Sequence, residues 1–218
     1  MSPTKLITLT DPRSAAAEAF RTLRTNLMFS SLDLALTTIV VTAPAEADDK
    51  TSVVANLAIA FAQAGNKTIL VDADLRKPSL HTLWGASNER GLTTMMAEDA
   101  ALSTPPLQTT EVPNLLLLPT GPLPPIPADL LSNQRMNEVI GVLKARASYI
   151  LFDSPPVLAA TDAALLGAKV DGVLLVVQAG HSRRDQVAQA RQALERVHVR
   201  LLGAILTNAP KERGAYYG

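Results

Sequence analysis

The chain has 218 residues, 47% of them hydrophobic, and its 20 basic and 20 acidic side chains cancel. That length fills one domain with a substantial core, and the balanced charge leaves no global field to attract nucleic acid or an anionic membrane. The absence of cysteine excludes a disulfide framework, a thiolate metal site and a cysteine nucleophile. Met1 to Lys5 lead into a short mixed segment rather than an apolar signal core. The longest apolar runs, Leu115 to Leu118 and Val173 to Val177, fall far short of a membrane span, so the reading is of a soluble, cytoplasmic protein.

A helix is predicted over 14–29, where Ala16, Phe20, Leu23 and Leu27 form an apolar stripe at helical spacing. Strands are predicted at 37–43, 67–72, 115–119, 149–153, 172–178 and 201–207. They are continuous apolar runs, as expected of strands covered on both faces. Helical patterns at 51–64, 91–98, 133–146, 161–168 and 182–197 lie between them. The alternation implies a doubly wound, mostly parallel α/β sheet in a single domain. Residues 101–132 are rich in proline (Pro105-Pro106, Pro122, Pro124-Pro125, Pro127) and read equally as an ordered surface connection or a functional loop. Trp84 is expected to pack a short helix after Pro78. Arg183, Arg184 and Arg191 are expected on a solvated helix face. His81, His181 and His198 lack metal-ligand spacing.

Between the first strand and the next helix runs Ala43-Pro-Ala-Glu46-Ala-Asp48-Asp49-Lys50-Thr51-Ser52, a strand–loop–helix context that a phosphate-binding loop demands. Such a loop curls several backbone N–H groups around phosphate, and glycine adopts the φ > 0 positions this requires without strain. Here Ala45, Ala47 and Asp49 stand where glycines are expected, while the lysine and hydroxyls remain. Lys50 is placed to reach β- and γ-phosphates and Thr51 to ligate Mg²⁺. Glu46, Asp48 and Asp49 add three carboxylates. One unit charge repelling another at about 5 Å costs roughly 3 kcal/mol at an effective dielectric of 20, which weakens binding on the order of a hundredfold.

Asp72 and Asp74 follow the strand signal Ile69-Leu70-Val71, at the edge where open α/β sheets bind ligands. Residues two apart on an extended chain share a face, so both carboxylates can approach one Mg²⁺. Arg76 and Lys77 follow and can neutralise transferred phosphate. Asp153 ends a second strand, where a carboxylate can hold the metal's water shell.

Together these segments resemble the bacterial tyrosine kinases of capsule and exopolysaccharide synthesis, the CpsD/CapB-like autokinases of P-loop NTPase fold, over almost the whole chain. Glu18-x-x-Arg21-x-x-Arg24 is similar to the family's N-terminal helix motif. Val71-Asp72-Ala-Asp74-Leu-Arg76-Lys77-Pro78 is similar to its second Walker motif, and Asp153-Ser-Pro-Pro156 to its Walker B. Gly121 to Leu131 resembles its proline-rich loop, with Ile126 where asparagine is usual. Thr161-Asp162 and Val170 to Val173 also follow the pattern. The resemblance implies ATP and Mg²⁺ as cofactors. It places Lys50, Thr51, Ser52 and Asp153 at the nucleotide, Thr51, Asp74 and Asp153 at the metal, and Asp72 as candidate base beside Lys50, Asp74 and Arg76. It implies a region 1–36 whose Glu18, Arg21 and Arg24 build a ring-like homo-oligomer, a kinase-like domain over 37–208, and a tail over 209–218 carrying candidate acceptors Tyr216 and Tyr217. A membrane polysaccharide co-polymerase or activator is the implied partner, which would hold the chain at the inner face of the membrane; nucleic acid is not. Loss of the loop glycines leaves a pseudokinase scaffold open as an alternative. A partition or division-site ATPase is disfavoured by Ala45, where that group carries a lysine.

Overall fold

The structure, a computed structural model, describes residues 6–29, 36–46 and 50–209. Two helices, α1 (Ile7–Thr10) and α2 (Ala15–Phe29), precede β1 (Thr38–Thr42), and α3 (Lys50–Gln63) leads to β2 (Thr68–Asp72). The short helices α4 (Leu80–Leu83), α5 (Leu92–Ala97) and α6 (Asp99–Ser103) follow, then β3 (Gln108–Thr109) and β4 (Leu115–Leu118). The chain continues through α7 (Pro127–Ser132), α8 (Arg135–Lys144), β5 (Tyr149–Asp153), α9 (Asp162–Gly167), β6 (Gly172–Gln178), α10 (Arg184–Arg196) and β7 (Leu201–Thr207). The strands form one sheet in the order β3-β4-β2-β5-β1-β6-β7, parallel except for β3. The doubly wound, mostly parallel α/β sheet expected from the sequence is thus observed.

Period-two alternation divides each central strand between two cores. Ile39, Val41, Leu70, Leu151, Leu174 and Val176 face one side, under α3 and α2; Val40, Ile69, Val71, Phe152, Val173 and Leu175 face the other, under α8, α9 and α10. Both faces are dry, which is why the strands read as unbroken apolar runs. Helix α3 is buried along almost its whole length, from Val53 to Ala62, and so is apolar all round. It is gripped on its outer side by the N-terminal helices: Thr8 N and Oγ1 donate to Asn56 Oδ1 at 3.0 and 2.7 Å. Arg24 Nη1 reaches the carbonyl of Ala60 at 3.2 Å.

The predicted strands and main helices all occur. The short helix expected after Pro78 is α4, whereas α1, α6, α7 and β3 lack the length that gives periodicity a signal. Residues 101–132 are an ordered connection that contains β4 and buries Leu117, Leu118 and Leu131. Trp84 caps the C-terminus of α4 and packs on the α3-side core. Arg183 and Arg191 lie on an exposed face, paired with Asp185 and Glu195.

At the N-terminal end of β1, Asp171 Oδ2 accepts bonds from Thr37 N, Thr38 N and Thr38 Oγ1 at 2.7 to 2.8 Å, tying β1 to the start of β6. Burial works against ionisation of Asp171, but these donors and Lys144 outweigh it and hold its pKa below the ordinary value. A carboxylate depressed in the fold contributes stability that is present above its unfolded pKa and lost as pH falls through the folded one. Replacing Asp171 by Ala is expected to cost about 1–3 kcal/mol at pH 7 by urea denaturation, and the loss relative to wild type should shrink below pH 4.

Candidate active site

The strand order places the C-terminal ends of β1, β5 and β2 side by side, so the loops that follow them share one edge. Register pairs Asp72 with Asp153 directly, and Lys50 opens α3 behind the loop from β1. The geometry converges on the lysine. Its Nζ donates to Asp153 Oδ1 at 2.5 Å and to Asp74 Oδ2 at 3.3 Å, and Thr51 Oγ1 donates to Asp153 Oδ2 at 2.7 Å. All of these groups except Thr51 are buried.

Backbone amides hold the remaining carboxylate oxygens. Asp72 Oδ2 accepts Ser79 N and Leu80 N at 3.0 and 2.9 Å, at the start of α4, and Asp74 Oδ1 accepts Arg76 N and Lys77 N at 3.3 and 3.0 Å. Asp72 Oδ1 is buried with no hydrogen-bond partner, as is Ser154 Oγ. One ammonium thus faces three buried carboxylates. Burial disfavours the charge on Lys50, but Asp153 and Asp74 more than compensate and raise its pKa. Burial, reinforced by Asp153, pushes Asp72 up to about 7. Asp153 is also raised by burial, with Lys50 and Thr51 opposing.

The flanking cations are both engaged within the chain. Arg76 forks onto Asp162 through Nε (3.0 Å) and Nη2 (2.9 Å). Asp162 is fully buried at the start of α9, so Arg76 satisfies a carboxylate that would otherwise lie unpaired. Lys77 pairs with Glu46, and that contact lowers the glutamate's pKa. Glu46 therefore brings its own counterion to the loop instead of an unbalanced charge. Ala47, Asp48, Asp49, Tyr216 and Tyr217 lie outside the described residues. Ser52 is joined to Asn56, whose Nδ2 reaches the Ser52 carbonyl at 2.8 Å.

Sequence reasoning undervalued Asp162, whose signal was an acidic residue opening a helical pattern, and it missed Thr120. Thr120 Oγ1 donates to the carbonyl of Asp72 at 3.0 Å. Its own position is set by α5, where Leu92 N and Thr93 N bond the carbonyls of Pro119 and Thr120 at 2.8 and 2.9 Å. Gly91 permits that approach, since a Cβ there would meet the Pro119 oxygen at 2.0 Å.

On α2, Glu18 and Arg21 form an exposed pair at 2.7 Å. Arg24 departs from the expected common stripe: it turns onto α3, and its Nε is buried.

The description "AAA domain" fits residues 37–205. The tyrosine-protein kinase YwqD of Bacillus subtilis is 38% identical over 213 residues, 98% of this chain and 90% of its own. The chain belongs to the bacterial tyrosine kinases of capsule and exopolysaccharide biosynthesis. The kinase domain of the Escherichia coli tyrosine kinase ETK superposes with a TM-score of 0.88 at 31% identity, covering 98% of this chain and 84% of that one. The septum site-determining protein MinD of Pyrococcus horikoshii, solved with Mg-ADP, is more distant. Its TM-score is 0.65 at 26% identity, covering 78% of this chain and 70% of that one. The fold is that of the P-loop NTPases.

Among the described residues no three His, Cys, Asp or Glu side chains are arranged to hold a metal by themselves. Mg²⁺ does not need such a cage, because one or two carboxylates with phosphate oxygens and water suffice. The hydroxyl of Thr51 and the carboxylates of Asp153 and Asp74 form an all-oxygen donor set that fits it. Because Lys50 is the only cation bonded to Asp153 among the described contacts, Lys50→Ala leaves buried carboxylates uncompensated. It should destabilise the fold by about 3–5 kcal/mol, read from urea denaturation at pH 7.

Proposed function

We propose that this chain is an ATP-dependent protein-tyrosine kinase that regulates exopolysaccharide or capsule polymerisation and export, and that it phosphorylates its own tail. The observation that carries this reading is the convergence of Lys50, Thr51, Asp72, Asp74 and Asp153 at one sheet edge in a chain 38% identical to a tyrosine-protein kinase. Bound Mg-ATP would supply the phosphoryl group and neutralise its charge, held by Thr51, Asp74 and Asp153. Lys50 would exchange its carboxylates for phosphate oxygens, and positioning with charge neutralisation would do most of the catalytic work. Asp72 would accept the proton of the tyrosine hydroxyl at Oδ1, the oxygen that no donor occupies. Asp162 would hold Arg76 at the rim. Incubation of the full chain with ATP and Mg²⁺, followed by mass spectrometry, should place phosphate on Tyr216 and Tyr217. Asp72→Asn should reduce the rate at least a hundredfold. A wild type without phosphotyrosine would count against the kinase reading.

A second reading, a pseudokinase scaffold, is favoured by one feature: alanine and aspartate occupy the glycine positions of the phosphate loop, at 45, 47 and 49. On that account Mg-ATP binds the wild type on the order of a hundredfold more weakly than it binds the Ala45→Gly, Ala47→Gly, Asp49→Gly variant. Isothermal titration of both proteins checks this. Equal affinities would mean that the loop cradles phosphate without glycine.

The proposed assembly is a homo-oligomer that docks on the cytosolic segment of a membrane polysaccharide co-polymerase, which would place the chain at the inner membrane face. No helix of the described residues is long and apolar enough to cross a membrane itself. The Glu18–Arg21 pair is one feature of α2 available to a neighbour, since arginine–carboxylate contacts add geometric specificity. Light scattering should show self-association that Glu18→Ala, Arg21→Ala abolishes. Arg24→Ala should lower stability instead, because that side chain is partly buried against α3, bonded to the Ala60 carbonyl, whereas Arg21 is tied, besides Glu18, only to the nearby Pro12 carbonyl at the surface.

A further inference from the structure

A cavity at the opposite end of the sheet takes no part in the site above. It lies at the starts of β2 and β4, beside the turn that leads into β5. Lys67 at that end and Asp72 at the other are separated by roughly 16 Å of extended chain. The cavity volume is about 380 Å³, within the range of small-molecule sites. Strand register builds its floor. Ile69 on β2 pairs with Leu116 on β4, which pairs with Thr109 on β3. Residues directly opposite one another share a sheet face, so two apolar side chains and a threonine form one row, and all three line the cavity.

Two cations border that floor. The Lys67 carbonyl accepts Ser148 N at 2.8 Å and Tyr149 N at 3.2 Å, which draws the turn after α8, with Arg146, against the start of β2. Both Lys67 and Arg146 line the cavity. The Arg146 guanidinium is fixed in place: Nη1 donates to the Val142 carbonyl at 2.9 Å and Nη2 to the Ser103 carbonyl at 3.0 Å. Its Nε and the second hydrogen of each Nη are left for another acceptor. Among the described residues neither cation has an ion-pair partner, whereas Lys50, Arg76 and Lys77 at the other edge all do. No acidic residue lines the cavity. Glu111, in the turn between β3 and β4, is exposed and not part of the lining. Thr109 and Asn114 add uncharged hydrogen-bonding groups.

We propose that this cavity binds a phosphate monoester carried on a small apolar body, with the phosphate on Lys67 and Arg146 and the body on Ile69 and Leu116. The charge selects the ligand. Two cations without a counter-carboxylate match a phosphate monoester, which carries close to two negative charges at pH 7, better than a carboxylate, which carries one. A guanidinium already held by two carbonyls offers its remaining N–H groups to phosphate oxygens with little further ordering. The inference is independent of nucleotide binding and of kinase activity, because it uses none of the residues at the other sheet edge.

The test is titration of the ¹⁵N-labelled full chain with phenyl phosphate at constant ionic strength, followed by NMR. Saturable amide shifts should centre on Lys67, Thr109, Asn114 and Ala147. Benzoate and phenol, which keep the ring but carry one charge and none, should each bind about tenfold more weakly or worse. The Lys67→Gln, Arg146→Gln variant should lose about tenfold or more, as expected when charge-assisted hydrogen bonds are removed. Arg146 also bonds two carbonyls of its own chain, so Lys67→Gln alone is the second variant. It should weaken binding with an unchanged thermal midpoint, which separates a lost ligand contact from lost folding. Phosphatidylcholine vesicles containing phosphatidic acid distinguish the sources of the phosphate. Co-sedimentation that the double variant abolishes assigns a membrane-held monoester; binding of phenyl phosphate without co-sedimentation assigns a free one. Absence of saturable shifts, shifts confined to the residues around Lys50, equal affinity for benzoate, or binding that the double variant retains overturns the proposal.

Discussion

One buried ammonium group balances the C-terminal edge of the sheet. Lys50 sits at the first residue of α3, among the carboxylates of Asp153, Asp74 and Asp72, with almost no solvent to screen them. Replacing such a cluster by apolar side chains often stabilises a protein, so its retention argues for specificity or chemistry and not for folding energy. The fold accommodates the charges with oriented donors: two amides at α4 on Asp72, two amides of the following turn on Asp74, and the Thr51 hydroxyl on Asp153.

The sheet order makes this cluster possible. Because β1 lies beside β5, and β5 beside β2, three segments separated by tens of residues deliver their acidic or basic ends to one place. The same order puts Asp171 at the opposite edge, where it receives β1's first amides. The strand that carries the phosphate loop is thus fixed at its start by one carboxylate and faces three others at its end. Neighbouring ion pairs extend the balance outward: Arg76 on Asp162, and Lys77 on Glu46. Each of these cations has a carboxylate to satisfy within its own chain.

The family relation and the altered loop pull in different directions. The fold, the second Walker-like segment and the aspartate that ends β5 are present, whereas alanine and aspartate stand where glycines would let a loop wrap phosphate. A loop of this composition carries three carboxylates, Glu46, Asp48 and Asp49, in a segment where phosphate would call for positive charge. Glu46 shows one way of limiting that cost, since Lys77 neutralises it locally.

Much of the architecture was legible in the sequence. Unbroken apolar runs marked the strands because both faces of the sheet are covered, and helical periodicity marked the long helices. The acidic residues at strand ends marked the candidate site's edge because parallel strands deliver their C-termini to one side. Short elements such as α1, α6 and α7 span too few turns to leave a periodic trace. Tertiary structure alone decided where each charge is used. Sequence spacing put Arg24 on a stripe with Glu18 and Arg21, but the packing of α2 on α3 turned it toward the Ala60 carbonyl. Likewise Arg76 stood beside Asp74 in the chain, while the placement of α9 gave it Asp162, 86 residues away. Hydrophobic pattern is a local property that a sequence displays directly, whereas the partner of a long charged side chain depends on which distant element the fold brings within its reach.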